Sequence, residues 1–138
     1  MLLPSEIESR SLIPAVRVII ARKLCQEYNM KEDLVAKILG ITQASISNYV
    51  RGTRGDNQLV NKLMDITEVR RMIEDITEEI AKNNSFRAST MAKYISLFNY
   101  IRQSYIICDV HRVLEKDIND DVCKACASTL NNENKYMS

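Results

Sequence analysis

Glycine and proline are scarce. Three Gly and two Pro in 138 residues leave little turn material for a many-stranded sheet. The polar positions hold Lys, Arg, Glu, Gln and Ala instead, which form helices readily. The expectation is an all-α fold: one domain with a real core, or a small module plus an appendage. No apolar run approaches the roughly 20 residues of a membrane span. The opening "MLLPSEIESR" has no basic region leading into an apolar stretch. A cytoplasmic chain with no membrane partner is expected. In that compartment four Cys point to metal or redox chemistry before a disulfide framework. Also missing are a Gly-rich phosphate loop, a carboxylate pair in a defined pocket and a third group to orient a Cys–His couple. Catalysis is therefore not expected.

A large charge excess is absent too, since the net charge is +1. Its distribution is more informative. Residues 1–56 carry eight Lys/Arg against six Asp/Glu; residues 57–84 carry four against six; residues 85–138 carry seven against six. The N-terminal part is mildly basic, so any phosphate binding depends on where a few cations sit.

Apolar periodicity marks the helices. "SLIPAVRVIIARKLCQEYN", 11–29, reads as a first long helix with Pro14 in its first turn and Ile13, Val16, Ile20 and Leu24 as a stripe. Cys25 beside that stripe reads as a small buried hydrophobe. Asn29 is a candidate cap for "KEDLVAKIL", whose Glu32 and Asp33 suit a helix start. "RGTRGDN", 51–57, is the clearest loop. Residues 57–82 read as helix with a break near Ile66 and Thr67, where Thr67 is the candidate cap. Leu59, Ile66, Val69, Ile73, Ile76 and Ile80 form a seam there. "KNNS", 82–85, is a break. The last helix spans about 89–111, with Met91, Tyr94, Phe98, Ile101, Tyr105 and Cys108 on one side.

The stretch "LVAKILGITQASISNYVRG", 34–52, stops at a glycine and restarts at once. Gly40 suits a left-handed corner between two short helices. Ala36, four residues earlier, allows the helices to cross closely, and Ile46 points back into the core. Val35, Leu39, Ile41, Tyr49 and Val50 add apolar contacts, and Thr42 caps the second helix. This is the pattern of a helix-turn-helix. "GITQASISNYVRG" resembles the second half of that motif in the Cro and phage-repressor-like regulators. The likeness covers residues 32–52 well and 12–65 in outline.

The exposed face of the second helix would be Thr42, Gln43, Ala44, Ser47, Asn48 and Arg51. Gln and Asn can pair with the edge of adenine and Arg with guanine, while Ala44 and Ser47 are short enough to admit the helix to a major groove. The first amides of the helix, with Thr42, can hold a phosphate. Arg51, Arg54 and Lys37 are candidate contacts to the backbone of double-stranded DNA. The plainer alternative is that Gln, Ser and Asn merely tolerate solvent. One such unit makes few contacts, and regulators of this type usually double them by two-fold symmetry. The two apolar stripes after the motif are candidates for a homodimer contact; ordinary packing within the chain is the alternative.

"CDVHRVLEKDINDDVCKAC" holds Cys108-x2-His111 and Cys123-x2-Cys126. Two chelating pairs around a loop can enclose a tetrahedral metal. Three thiolates and an imidazole suit zinc, and an iron–sulfur cluster is also possible. The alternative is inert thiols, or a Cys123–Cys126 disulfide formed on oxidation. Together, "PSEIESRSLIPAVRVIIARKL", "GITQASISNYVRG" and the terminal Cys/His set resemble a family of archaeal transcriptional regulators, a likeness that covers nearly the full length. His111 departs from versions of that family expected to hold Cys there. The resemblance implies a DNA-binding regulator with a helix-turn-helix domain at 1–66, a helical dimerisation region at 67–107 and a metal or iron–sulfur segment at 108–138. A different class of function is an architectural or adaptor protein with a purely structural zinc site.

Overall fold

A computed structural model describes residues 3–52, 57–104, 106 and 108. Every element among them is helical, as the composition led us to expect. The chain opens with α1 (Pro4–Ile7), a π-helical turn (Glu8–Leu12) and α2 (Ile13–Gln26). The junction residues Ile7 and Ile13 are both helical, so the three run on as one rod. Helical backbone therefore begins well before the expected start. Pro14 lies in the first turn of α2, yet the backbone upstream of it is helical. A proline inside a helix lacks an amide donor and crowds the carbonyl four residues earlier. The wide turn just before it, closed by the Ile13 amide on the Glu8 carbonyl, gives that ring room.

The rod is the centre of the molecule. Val16, Ile20 and Leu24 of the expected stripe are fully buried, and so, nearly, are Ala15, Val18, Ile19 and Ala21 on other sides. A helix apolar on most faces belongs inside a bundle, and α2 does contact four later helices. Cys25 is only half-buried, a free thiol packed against the core. Burial pushes that thiol above its ordinary pKa and the nearby Glu32 carboxylate adds to the effect, which disfavours the reactive thiolate.

Asn29 does not cap the next helix. It adopts a left-handed conformation, φ 54°, which asparagine tolerates better than most residues, and turns the chain out of α2. Lys31 takes the cap position of α3 (Glu32–Leu39) without a side-chain bond. Gly40, φ 70°, and Thr42 then lead into α4 (Gln43–Arg51). α5 (Asn57–Asp65) buries Leu59, Val60 and Leu63. The break comes at Ile66, as expected, but Ile66 is itself the cap position and Thr67 the first residue of α6 (Thr67–Asn83).

Val69, Ile73, Ile76 and Ile80 are completely buried. Their 4-3-4 spacing packs α6 against α2 and against α7 (Ala88–Gln103). This stripe is thus occupied within the chain, the alternative to a two-fold contact. α6 also packs on α5, so residues on both sides of position 66 share one core. Asn84, φ 51°, ends α6.

α7 follows the expected face except at Met91. Its continuous run ends at Gln103 with Ser104 as its cap; Ile106 and Cys108 are again helical, and residues 109–111 lie outside the described residues. Thr90, Leu97 and Ile101 are buried in its seam and Tyr94, Phe98 and Cys108 are half-buried against the core, whereas Met91 is 49% exposed. The polar Thr90 sits in the seam because its hydroxyl accepts the Arg87 amide at 3.3 Å and so closes the helix start.

Candidate nucleic-acid interface

The α3–α4 corner is built from backbone conformation. The Gly40 amide donates to the Ala36 carbonyl, as does the Ile41 amide at 3.0 Å. Ala36 is 6% exposed at the crossing of the two helices, where a larger side chain would pry them apart. Ile46 is fully buried, anchoring α4 against α2 and α3. Thr42 is extended, and its Oγ1 accepts the Ser45 amide at 3.1 Å. That bond and the Ile46 amide on the Thr42 carbonyl close the first turn. Helix geometry turns the earlier amides, those of Gln43 and Ala44, outward along the axis.

The far end of α4 is held from α2. Arg22 Nε donates to the Tyr49 carbonyl at 2.7 Å and its Nη2 to Asn57 Oδ1 at 3.2 Å. Gln26 Nε2 donates to the Val50 carbonyl at 3.4 Å. These donors supplement the last-turn carbonyls that a helix leaves short of partners; the Tyr49 carbonyl also accepts the amide of Gly52 at 3.2 Å, and Gly52, φ 74°, carries the chain away. Arg22 and Gln26 were not among the residues expected to matter. They stand four apart on α2, and a long polar pair on a helix reads as solvent-facing until its neighbour is known.

Gln43, Ala44, Thr42 and Arg51 are exposed, as is Lys37 in the last turn of α3. Ser47 and Asn48, expected on the open face, are half-buried yet still accessible. Arg51 lies back along its own helix, Nε on the Ser47 carbonyl at 3.3 Å and Nη2 on the Ser47 hydroxyl. It has to swing away to reach anything else. α4 contains no Asp or Glu, and its only formal charge is Arg51. Arg54 lies outside the described residues.

Cys108 is half-buried against the core. Its expected co-ligands His111, Cys123 and Cys126 lie outside the described residues. Among the described residues no group of three His, Cys, Asp or Glu is placed to hold a metal, and no helix is long and apolar enough to cross a membrane. No family model, curated protein or solved structure matches the chain.

Proposed function

We propose that this chain is a sequence-specific DNA-binding transcriptional regulator, acting as a homodimer in the cytoplasm. One observation carries the reading: α4 is fixed at both ends and presents Thr42, Gln43, Ala44, Ser47 and Asn48, short or uncharged, with no carboxylate on the helix. A carboxylate there would meet the negative potential of the groove. In the proposed complex Gln43 and Asn48 pair with adenine edges, and Ala44 and Ser47 let the helix approach. The outward amides of the first turn, with Thr42, hold a phosphate. Lys37 and Arg54 contact the backbone, and Arg51 leaves Ser47 for a phosphate or a guanine. Dimerisation belongs to the proposal because one helix makes few base contacts. With the α6 stripe spent inside the chain, the partner meets a different surface.

The same proposal assigns zinc or an iron–sulfur cluster to Cys108, His111, Cys123 and Cys126, on the chemistry of three thiolates and one imidazole at chelating spacing. Metal and acid-labile sulfide analysis after anaerobic purification tests this. A colourless protein without bound metal removes the site.

The DNA reading is tested by selection from random duplexes, followed by titration of the recovered site at fixed salt. The expected result is a preferred sequence, with binding lost in Ser47→Glu while the fold persists. Equal affinity for all duplexes rejects it. A chelator that melts the fold then supports the second reading, an architectural or adaptor protein with a structural zinc.

A further inference from the structure

A cavity of about 470 Å³ opens between the start of α2, the α3–α4 corner and α7. That volume lies in the range of roughly 300–1,000 Å³ typical of small-molecule sites. One wall is aromatic. Phe86 and Tyr94 have ring centroids 5.5 Å apart, and Tyr94 and Phe98 6.4 Å apart. Met91 and Ile95, 49% and 53% exposed, form the rim. Among the described residues they are two of the few large apolar side chains left exposed.

The polar groups of this cavity are unequal. Glu8 and Arg102 close on each other through two parallel bonds, Nε to Oε1 at 2.5 Å and Nη2 to Oε2 at 2.8 Å. Their charges cancel. Arg17 also lines the cavity and is half-buried. It has no hydrogen bond or ion pair among the described residues. Burial raises the pKa of the Tyr94 hydroxyl well above its ordinary value, and the charge of Arg17 pulls the other way. A lone guanidinium therefore faces an aromatic wall.

We propose that this cavity binds a small carboxylic acid with an apolar body, its carboxylate on Arg17 and its body against Tyr94, Phe98 and Ile95. One unpaired cation matches one negative charge. A dianion such as a phosphate monoester would bring a second charge towards the Glu8 carboxylate with no cation left to meet it. An uncharged apolar molecule would leave Arg17 desolvated and unpaired, which is costly. The site does not depend on the DNA reading, and its test uses no DNA.

The experiment is calorimetric titration of the full chain with octanoate and with uncharged octanamide. Octanoate is expected to saturate at one per chain, and octanamide to bind about tenfold more weakly or worse. Arg17→Gln is expected to weaken octanoate by a similar factor. Ile95→Asp, a substitution at an exposed rim position, does the same by placing a like charge at the mouth. Thermal midpoints of both variants report whether they fold; if Arg17→Gln does not, the octanamide and Ile95→Asp arms decide. The proposal is overturned if octanoate fails to saturate, or if octanamide or either folded variant binds as well as the parent with octanoate. Sedimentation in the same buffer identifies a second copy of the chain as the occupant. A dimer that excludes octanoate and dissociates in Ile95→Asp also overturns the proposal.

Discussion

Arg22 Nε and the carbonyl oxygen of Tyr49 lie 2.7 Å apart across 27 residues of sequence. The bond joins the most buried helix of the molecule to the last turn of the helix proposed to read DNA. With Gln26 on the Val50 carbonyl, it makes the orientation of α4 a property of the core. Thr42 does the corresponding work at the other end.

Arg22→Ala takes the guanidinium from the Tyr49 carbonyl, which keeps the Gly52 amide at 3.2 Å, and from Asn57 Oδ1. The expected cost is about 1.5–3 kcal/mol of unfolding free energy, the range for a hydrogen bond to a charged group. Arg22→Lys, which cannot supply two donors in a plane, should recover less than half. Denaturant unfolding measures both. In the DNA reading, affinity should fall in the same order. Affinity unchanged in a destabilised Arg22→Ala would mean that α4 needs no pinning.

Gly40→Ala tests the corner. Nothing lies within 4 Å of where its Cβ would point, while φ is 70°. The penalty is therefore one of backbone conformation alone, about 1–2 kcal/mol. Gly40→Asn should cost less than Gly40→Ala, since asparagine adopts this conformation more readily. A much larger loss in unfolding free energy for Gly40→Ala would reveal a steric clash the geometry does not contain.

Glu8 and Arg102 tie the first turns of the chain to the end of α7 across 94 residues. The Glu8 side chain is 11% exposed and that of Arg102 32%. Removing only the cation, as in Arg102→Met, strands a nearly buried carboxylate. The cost of breaking a fully buried pair, about 3–5 kcal/mol, shrinks to roughly 2 kcal/mol because Arg102 is partly solvated. Glu8→Gln combined with Arg102→Met should be less destabilising than the sum of the two single changes. Additive losses in the double-mutant cycle would mean that the pair is not coupled.

Acid should loosen the contact between α6 and α7. A hydrogen bond from Ser89, and then the Lys93 ammonium 3.2 Å away, hold the Glu79 carboxyl below its ordinary value of 4.5. A depressed carboxylate stabilises the fold above its unfolded pKa. That contribution disappears as pH falls through the folded value, below 4.5. The thermal midpoint followed from pH 7 to 3 should drop less steeply in Glu79→Gln than in the parent. Parallel curves would remove Glu79 from the acid response.

How far the sequence foretold this structure depended on whether a residue's role was local. Gly40, Thr42, Ala36 and Ile46 act within one turn of their own helix or its neighbour, and their types reveal those duties. The stripe from Val69 to Ile80 was legible as apolar periodicity, but a period does not say whether the face it packs on belongs to the same chain. The face of α7 was legible at Tyr94, Phe98, Ile101 and Cys108 and misread only at its start, where Thr90, a polar letter in a buried seam, stands beside Met91, an apolar letter in solvent. Arg22, Arg17 and Glu8 were invisible for a different reason. Each acts on a group 27 or more residues away, and nothing in the local pattern separates a guanidinium that clamps a carbonyl from one that faces water.

The cavity touches Ile38, Leu39 and Gly40, the residues that end α3 and set the angle of α4. An occupant wedged between this corner and α7 would favour some orientations of α4 over others. If both proposals hold, octanoate and DNA must therefore report on each other. Thermodynamic linkage fixes the form of the effect: a dimer on DNA carries two cavities, so the factor by which saturating octanoate changes DNA affinity equals the product of the factors by which saturating DNA changes octanoate affinity at the two sites. Typical couplings run from about 5-fold to 150-fold, and an effect carried by one corner belongs near the lower end. The check is a pair of titrations at one salt concentration, DNA with and without octanoate and octanoate with and without DNA. A factor of one in both directions would separate the cavity from the corner. A DNA factor that departs from that product would mean that octanoate acts on the DNA complex through a further site.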